Sequence, residues 1–164
     1  RILDQMADPS GATLGEAFQA LVWADLEAEL TEGLAPEDQS RLVFQWPSTG
    51  CGPMPRCGLV RALRAVLSNA LEATPRPGTV SILAREEGGA WNLEIEDRGS
   101  GMAPEVLARV GEPFFSTKPT GSGMGLGLFL ARTFAEQLGG ELRVESTLGQ
   151  GTRVQVIWPQ VAHG

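Results

Sequence analysis

The stretch Gly121-Ser-Gly-Met-Gly-Leu-Gly-Leu128 places a glycine at every second position over seven residues and then continues into an apolar, helix-like pattern. Glycine has no Cβ, so its backbone adopts positive φ and brings several N–H groups close to one anion. A helix that follows such a loop adds the positive end of its dipole. The stretch therefore predicts a phosphate-binding loop, and a flexible surface linker is the alternative.

The composition limits what else the protein does. The chain has 164 residues, which is typical of one domain, and a net charge of −7 from 20 acidic and 13 basic residues, so we expect no nucleic acid as a partner. It carries neither a signal peptide nor a membrane-spanning stretch, which predicts a soluble, cytoplasmic piece, with a membrane anchor elsewhere in the full-length protein left open. Because the chain begins with Arg1 rather than Met, we expect a fragment of a longer protein.

Two cysteines and one histidine are too few for a conventional metal cluster. Cys51 and Cys57 lie in or beside a Gly/Pro-rich stretch, and His163 is the next-to-last residue. We expect reduced thiols, with a disulfide or a redox sensor as the alternatives.

Hydrophobic spacing predicts the secondary structure and the fold class. Helices are expected at 14–30, 59–74, 104–110 and 124–138, and strands at 41–46, 79–85, 91–97, 141–146 and 151–158. This order predicts an α+β fold, a two-layer α/β sandwich in which helices cover one face of a mixed, mostly antiparallel sheet.

An acidic residue continues the core-facing row of one predicted strand. Period two places Asp97 on the same face as Trp91, Leu93 and Ile95. Burying an unpaired carboxylate is costly, so Asp97 needs a fixed donor. A ligand amino group is one candidate, and the backbone of a turn is the other.

Two further residues are candidates for binding phosphate or metal. Asn69 interrupts the mostly apolar stretch 66–71 of a predicted helix, where its low helix propensity calls for a compensating partner. That partner is either a metal or phosphate oxygen or a helix-to-loop hydrogen bond. Lys118 precedes the glycine stretch and is a candidate for contacting a terminal phosphate, although a solvated loop lysine is the commoner case.

Other nucleotide and hydrolase motifs do not fit. The glycine stretch lacks the Gly-Lys-Ser/Thr of a P-loop and misses the Gly-x-Gly-x-x-Gly spacing of dinucleotide-binding folds. A Ser/His/Asp triad is unlikely because the single histidine is nearly terminal.

In combination, these segments resemble the four boxes of sensor histidine kinases. The stretch 67–74 around Asn69 is similar to the N box, Asp97-Arg-Gly-Ser-Gly-Met102 to the G1 box, 112–119 to the F box, and 121–128 to the G2 box. The resemblance covers about residues 56 to 158, and Pro113-Phe-Phe-Ser-Thr-Lys-Pro119 is most similar to the nitrogen-sensor and redox-sensor branches.

The resemblance implies a Bergerat fold that binds ATP and Mg²⁺ for transfer of the γ-phosphoryl group to a histidine. Asp97 would accept from the adenine amino group, Asn69 would hold Mg²⁺, and Lys118 would touch the γ-phosphate from a lid at 103–122, so Asn69 and Lys118 are the implied catalytic residues. The implied nucleotide-binding residues are Asn69, Asp97, Gly99, Gly101, Met102, Phe114, Lys118, Gly121, Ser122, Gly123, Met124, Gly125, Leu126 and Gly127.

The same resemblance implies the domain limits and the partners. Residues 14–160 would form the ATP-binding domain, preceded by a tail or the end of a helical linker at 1–13 and followed by a tail at 161–164. The histidine would belong to a dimerisation domain of the same full-length protein and pass its phosphate to a response regulator. Since dimerisation helices are not part of this chain, we expect a monomer.

The chain departs from the family pattern at two points. Ala65 stands where the family usually has a polar residue, one turn before Asn69, and either Arg61 or Glu72 could compensate. His163 has no helical pattern around it, so we expect no internal phosphoacceptor. A regulatory module that binds nucleotide without transferring phosphate, or another ATPase or serine kinase of the superfamily, therefore remains an alternative.

Overall fold

The computed structural model describes residues 18–47, 52–110 and 127–159. None of the helices in these ranges combines the length and apolar character needed to cross a membrane. In chain order the elements are β1 (Gln19–Ala20), α1 (Trp23–Thr31), α2 (Pro36–Gln39), β2 (Leu42–Gln45), β3 (Pro53–Met54), α3 (Arg56–Ala73), β4 (Val80–Glu87), β5 (Ala90–Asp97), α4 (Pro104–Leu107), α5 (Gly127–Gln137), β6 (Glu141–Thr147) and β7 (Gly151–Pro159).

Five of the strands form one sheet in the order β2-β4-β5-β7-β6. β2 pairs with β4 in parallel, and the other three pairings are antiparallel. Helices α1, α3 and α5 pack on one face, and the hydrophobic core lies between them and the sheet. The predicted α+β sandwich with a mixed, mostly antiparallel sheet is confirmed.

The apolar rows of α3 and β5 build much of this core. The predicted inner row of β5 is buried from Trp91 to Asp97, and Glu94 and Glu96 remain partly exposed on the outer face. α3 buries one continuous side against the sheet and α5, formed by Gly58, Leu59, Ala62, Leu63, Val66, Leu67, Ala70 and Leu71. Both patterns follow directly from the periods of a strand and a helix.

The first predicted helix begins later than expected. Residues 14–17 lie outside the described ranges, and α1 starts at Trp23. Gln19–Ala20 instead pairs with Pro53–Met54, and the N–H of Leu21 donates to the carbonyl of Gly52 at 3.2 Å. Phe18 lies within the predicted helix, but it is exposed in the structure. The residues that follow it use their backbone hydrogen-bonding groups for these strand pairings instead of for a helix.

Two short helices also differ from prediction. The helix predicted at 104–110 covers only Pro104–Leu107, and a short helix that was not predicted from the sequence begins at Pro36. Proline at the first position of a helix loses no hydrogen bond, so it begins a helix as readily as it ends one. The strands predicted at 79–85 and 91–97 form an antiparallel hairpin, with Gly88 and Gly89 at φ 61° and 81° in its turn.

The C-terminal end of α3 is held by a buried arginine from outside the helix. Arg41 is only 5% exposed, and its guanidinium donates to the carbonyls of Thr74 at 2.6 Å and Gly78 at 2.8 Å. A third, longer bond of 3.4 Å reaches the carbonyl of Leu71. The last carbonyls of a helix have no partner within it, and a cation near them also interacts favourably with the helix dipole. Arg41 thus fixes the end of α3 relative to the sheet.

Arg41→Ala should lower the free energy of unfolding by about 3 kcal/mol, because it leaves several buried carbonyls without a donor. Arg76 is a matched control, since both arginines pair with Asp38, Arg41 at 3.2 Å and Arg76 at 2.9 Å, but the side chain of Arg76 is 59% exposed. Arg76→Ala should cost at most about 1 kcal/mol. Urea unfolding of both variants measures the difference, and equal losses would contradict the role given to Arg41.

Candidate functional site

Asp97 ends β5 as a buried carboxylate held by backbone donors. It is 6% exposed, and its Oδ1 accepts from the N–H of Gly99 at 2.8 Å. The backbone N–H of Thr152, the residue paired with Asp97 on β7, also donates to this carboxylate. The fixed donor predicted from the sequence is therefore, at least in part, the backbone of a turn.

Burial nevertheless raises the pKa of Asp97. Desolvation is the largest cause, the neighbouring Glu96 adds a smaller upward contribution, and the two backbone N–H donors only partly offset the shift. The ionised carboxylate is therefore less stable here than in water. A ligand that brought one more donor would stabilise the charged form, which is the chemistry expected of a site for an amino group.

Residues 98–102, which we call the slot loop, lie against the end of α3. The N–H of Ser100 donates to the carbonyl of Ala73 at 3.1 Å. A Cβ on Gly99 would come within 2.2 Å of the same carbonyl oxygen, so only glycine fits there. The slot loop follows Asp97 directly, and this contact fixes the position of its backbone relative to α3.

The turn between β6 and β7 contacts the slot loop from the other side. The N–H of Gly149 donates to the carbonyl of Ser100 at 2.7 Å. Gly101 has φ 67°, and a Cβ there would meet the carbonyl oxygen of Thr147 at 2.0 Å. The predicted slot residues Gly99 and Gly101 are therefore required by close backbone packing on both sides.

Asn69 lies where α3 meets the first residue of α5. It is half-buried, and a Cβ on Gly127 would come within 2.7 Å of its Nδ2 and 3.4 Å of the carbonyl of Ala65. The last glycine of the predicted phosphate loop thus packs directly on the predicted metal-binding asparagine, although the two are far apart in sequence. Arg61 and Glu72 are both exposed, and the hydroxyl of Ser68 donates to Glu72 over 3.5 Å.

Several predicted residues lie outside the described ranges. These are Phe114, Lys118 and the glycine stretch up to Leu126, which includes Gly121, Ser122, Gly123, Met124 and Gly125. Of the predicted lid at 103–122, the structure describes only residues 103–110. Cys51 is also outside, and Cys57 is exposed in the first turn of α3. The roles given to these residues stay predictions.

A cavity of about 320 Å³ opens beside Asp97, among the ends of β5, β6 and β7. Three acidic residues and two arginines line it, so it has no excess of positive charge that would attract phosphate. Its lining residues are Glu96, Asp97, Arg98, Glu145, Ser146, Thr147, Gln150, Gly151, Thr152 and Arg153. Glu96, Glu145 and Arg153 belong to the outer row of the sheet, so part of the cavity lies on the face opposite the helices.

Ser146 and Thr152 are residues of this region that sequence reasoning missed. Thr152 lies opposite Asp97 in the sheet, and its hydroxyl lies 2.9 Å from the hydroxyl of Ser146. The sequence offered only a glycine followed by a threonine at the start of a predicted strand, and in the structure Gly151 has φ 130°. Within the part of the chain that the structure describes, no group of three or more His, Cys, Asp or Glu residues is placed to hold a metal ion.

Known proteins with the same sequence pattern and fold identify the class. The profile of the family described as histidine kinase-, DNA gyrase B-, and HSP90-like ATPase matches residues 56–162. The chain is 42% identical over 106 residues to the histidine protein kinase DivJ of Caulobacter vibrioides, which covers 60% of this chain and 18% of DivJ. It is 36% identical over 94 residues to sporulation kinase C of Bacillus subtilis, which covers 57% of this chain and 22% of that kinase.

A solved structure agrees with these relatives. The mycobacterial sensor histidine kinase MprB superposes with a TM-score of 0.71 at 27% identity, over 87% of this chain and 97% of the solved chain. The protein therefore belongs to the histidine kinase-, DNA gyrase B-, and HSP90-like ATPase family. It is an ATP-binding domain of the kind found in sensor histidine kinases, with a Bergerat fold, and spans about a fifth of the length of the curated relatives named here.

Gly101→Ala tests the close packing of the slot loop, with Gly88→Ala as its control. Both glycines have similar positive φ, 67° and 61°, but a Cβ on Gly88 would meet nothing within 4 Å. Gly88→Ala should cost about 1 to 2 kcal/mol of stability from backbone strain alone. Gly101→Ala should cost about 2 kcal/mol more, because the added methyl overlaps a carbonyl. Urea unfolding gives both values, and equal costs would contradict the packing described.

Proposed function

We propose that this domain positions Mg-ATP for transfer of the γ-phosphoryl group to a histidine on a separate domain of the same full-length protein. The observation that carries the proposal is the packing of Gly127 on Asn69, which joins the end of the predicted phosphate loop to the predicted metal-binding residue. The relatives support it, since DivJ is a histidine protein kinase. In such a system the phosphorylated histidine would pass its phosphate to a response regulator.

Asp97 and the slot loop would bind the adenine. The raised pKa of this carboxylate and its burial make an additional donor favourable, and the exocyclic amino group of adenine is such a donor. Gly99 and Gly101 allow the backbone of the slot loop to pack directly against α3 and the β6–β7 turn, and a flat ring would bind above this backbone. The backbone N–H of Met102, the last residue of the slot loop, donates to the hydroxyl of Ser146 and so connects the loop to β6.

Asn69 and the N-terminal end of α5 would bind the phosphates. The amide oxygen of asparagine is a hard ligand that suits Mg²⁺, which usually keeps few protein ligands together with water and phosphate oxygens. The first turn of α5 begins beside Asn69 and offers backbone N–H groups and the positive end of the helix dipole. When bound, Mg²⁺ would neutralise phosphate charge, and the family resemblance gives Lys118 the same purpose at the γ-phosphate.

Catalysis in such a site rests on positioning rather than on covalent chemistry by the protein. In phosphoryl transfer the protein mainly aligns the reacting atoms and balances charge. Asp97 would fix the base end, Asn69 the phosphate end, and the predicted lid would exclude water as it closes.

Asp97→Asn should weaken binding of Mg-ATP by about tenfold or more, because a hydrogen bond to a charged acceptor is lost. Glu96→Gln is the matched control, since Glu96 precedes Asp97 on β5 but lies on the outer face and pairs with Arg153. It removes the same charge and should leave the affinity nearly unchanged. Calorimetric titration of the 164-residue chain measures both. Unchanged affinity in Asp97→Asn would overturn the adenine assignment.

A second candidate function is a regulatory module that binds nucleotide without transferring phosphate. Ala65 favours it, because this position in the turn before Asn69 offers no polar side chain. Mixing the domain with the histidine-bearing hairpin of its own full-length protein and γ-labelled ATP distinguishes the two. We expect label on the histidine, and its absence under conditions of demonstrated ATP binding would favour the regulatory module.

A further inference from the structure

Ser146 connects the slot loop to the start of β7. It lies near the end of β6, half-buried, and its Oγ accepts from the backbone N–H of Met102 at 2.8 Å. The same hydroxyl donates to the carbonyl of Gly151 at 3.0 Å and lies 2.9 Å from the hydroxyl of Thr152. The side chain of Ser146 therefore contacts both the slot loop and β7, which are about fifty residues apart in sequence.

The three contacts use the full hydrogen-bonding capacity of the hydroxyl. A serine hydroxyl has one proton to donate and two lone pairs to accept. Its proton goes to Gly151, so its lone pairs accept from Met102 and from the hydroxyl of Thr152. No small side chain without a hydroxyl can replace this arrangement.

The contacts of Ser146 reach Asp97 through β7. Thr152 is paired with Ser146 on one side and with Asp97 on the other, and its backbone N–H donates to the Asp97 carboxylate. Gly151 packs so closely that a Cβ on it would meet the carbonyl oxygen of Asp97 at 2.2 Å. A shift of Ser146 would therefore displace both the slot loop and the carboxylate.

We infer that Ser146 is a positioning residue. It sets the preference of this site for adenine over guanine by fixing the positions of Asp97 and the slot loop relative to each other. This inference rests on the proposed function. Ser146 acts through Met102 and Thr152 rather than by touching the base. Adenine presents an amino donor where guanine presents a carbonyl acceptor, so a correctly placed carboxylate favours adenine and repels guanine. A displaced carboxylate loses part of that preference.

The variants Ser146→Thr and Ser146→Val test this directly, because they have the same shape and differ by the hydroxyl alone. Affinities for Mg-ATP and Mg-GTP are measured by titration of the 164-residue chain. Ser146→Val should lower the ratio of ATP affinity to GTP affinity by about fivefold, the value of one lost hydrogen bond. Ser146→Thr should keep the ratio near that of the wild type. If Ser146→Val does not fold, Ser146→Ala takes its place.

General destabilisation is separated from positioning by a control variant and a second measurement. Ser81→Val makes the same change on β4, on the outer face of the sheet, and should leave the ratio unchanged. Amide hydrogen exchange should show faster exchange at Met102 in Ser146→Val, with Val154 on β7 still protected. Loss of protection at both positions would mean a merely structural role and would overturn the inference.

The outcomes also separate this inference from the proposed function. A wild-type chain that binds neither nucleotide would overturn both. A wild type that prefers ATP, with the same preference in Ser146→Val, would overturn the role of Ser146 alone.

Discussion

The contact between Gly99 and the carbonyl of Ala73 fixes the position of α3 relative to the end of β5 at the candidate site. The Ser100 N–H donates to that carbonyl, and the absent side chain of Gly99 permits the approach. Because Asp97 lies two residues earlier and Asn69 one turn back along α3, this backbone contact places both ends of the candidate nucleotide site. Arg41, which binds the next carbonyls of the same helix end, keeps α3 from moving away.

The site is built largely from places where a side chain is missing. Gly101 has no room for a Cβ because a backbone carbonyl occupies that space, and a Cβ on Gly127 would require the amide of Asn69 to shift. Such packing gives short, rigid links between elements without long side chains that would need ordering. It also leaves backbone N–H groups accessible near a ligand, which an anion or a flat ring requires.

Local sequence patterns predicted most of the fold but not the contacts between segments that are distant in sequence. The burial of Asp97 and the apolar side of α3 follow from strand and helix periods, and the box resemblance marked Asn69 and the glycines. The pairing of Gln19–Ala20 with Pro53–Met54, and the reach of Arg41 to the end of α3, join segments distant in sequence and leave no periodic signal. Ser146 and Thr152 were missed because a single hydroxyl within a strand resembles any other polar residue of that strand.

The position of Asn69 and Ala73 on one helix has a consequence for ligand length. Four residues of an α-helix rise about 6 Å, and this interval does not change when loops move. Under the proposed function, Asn69 at the phosphate end and Ala73, against which the slot loop packs at the base end, would therefore be spaced by a rigid element. Under the proposed function, a ligand with a longer or shorter span between base and phosphate would bind less tightly, because the helix rather than a loop sets this spacing.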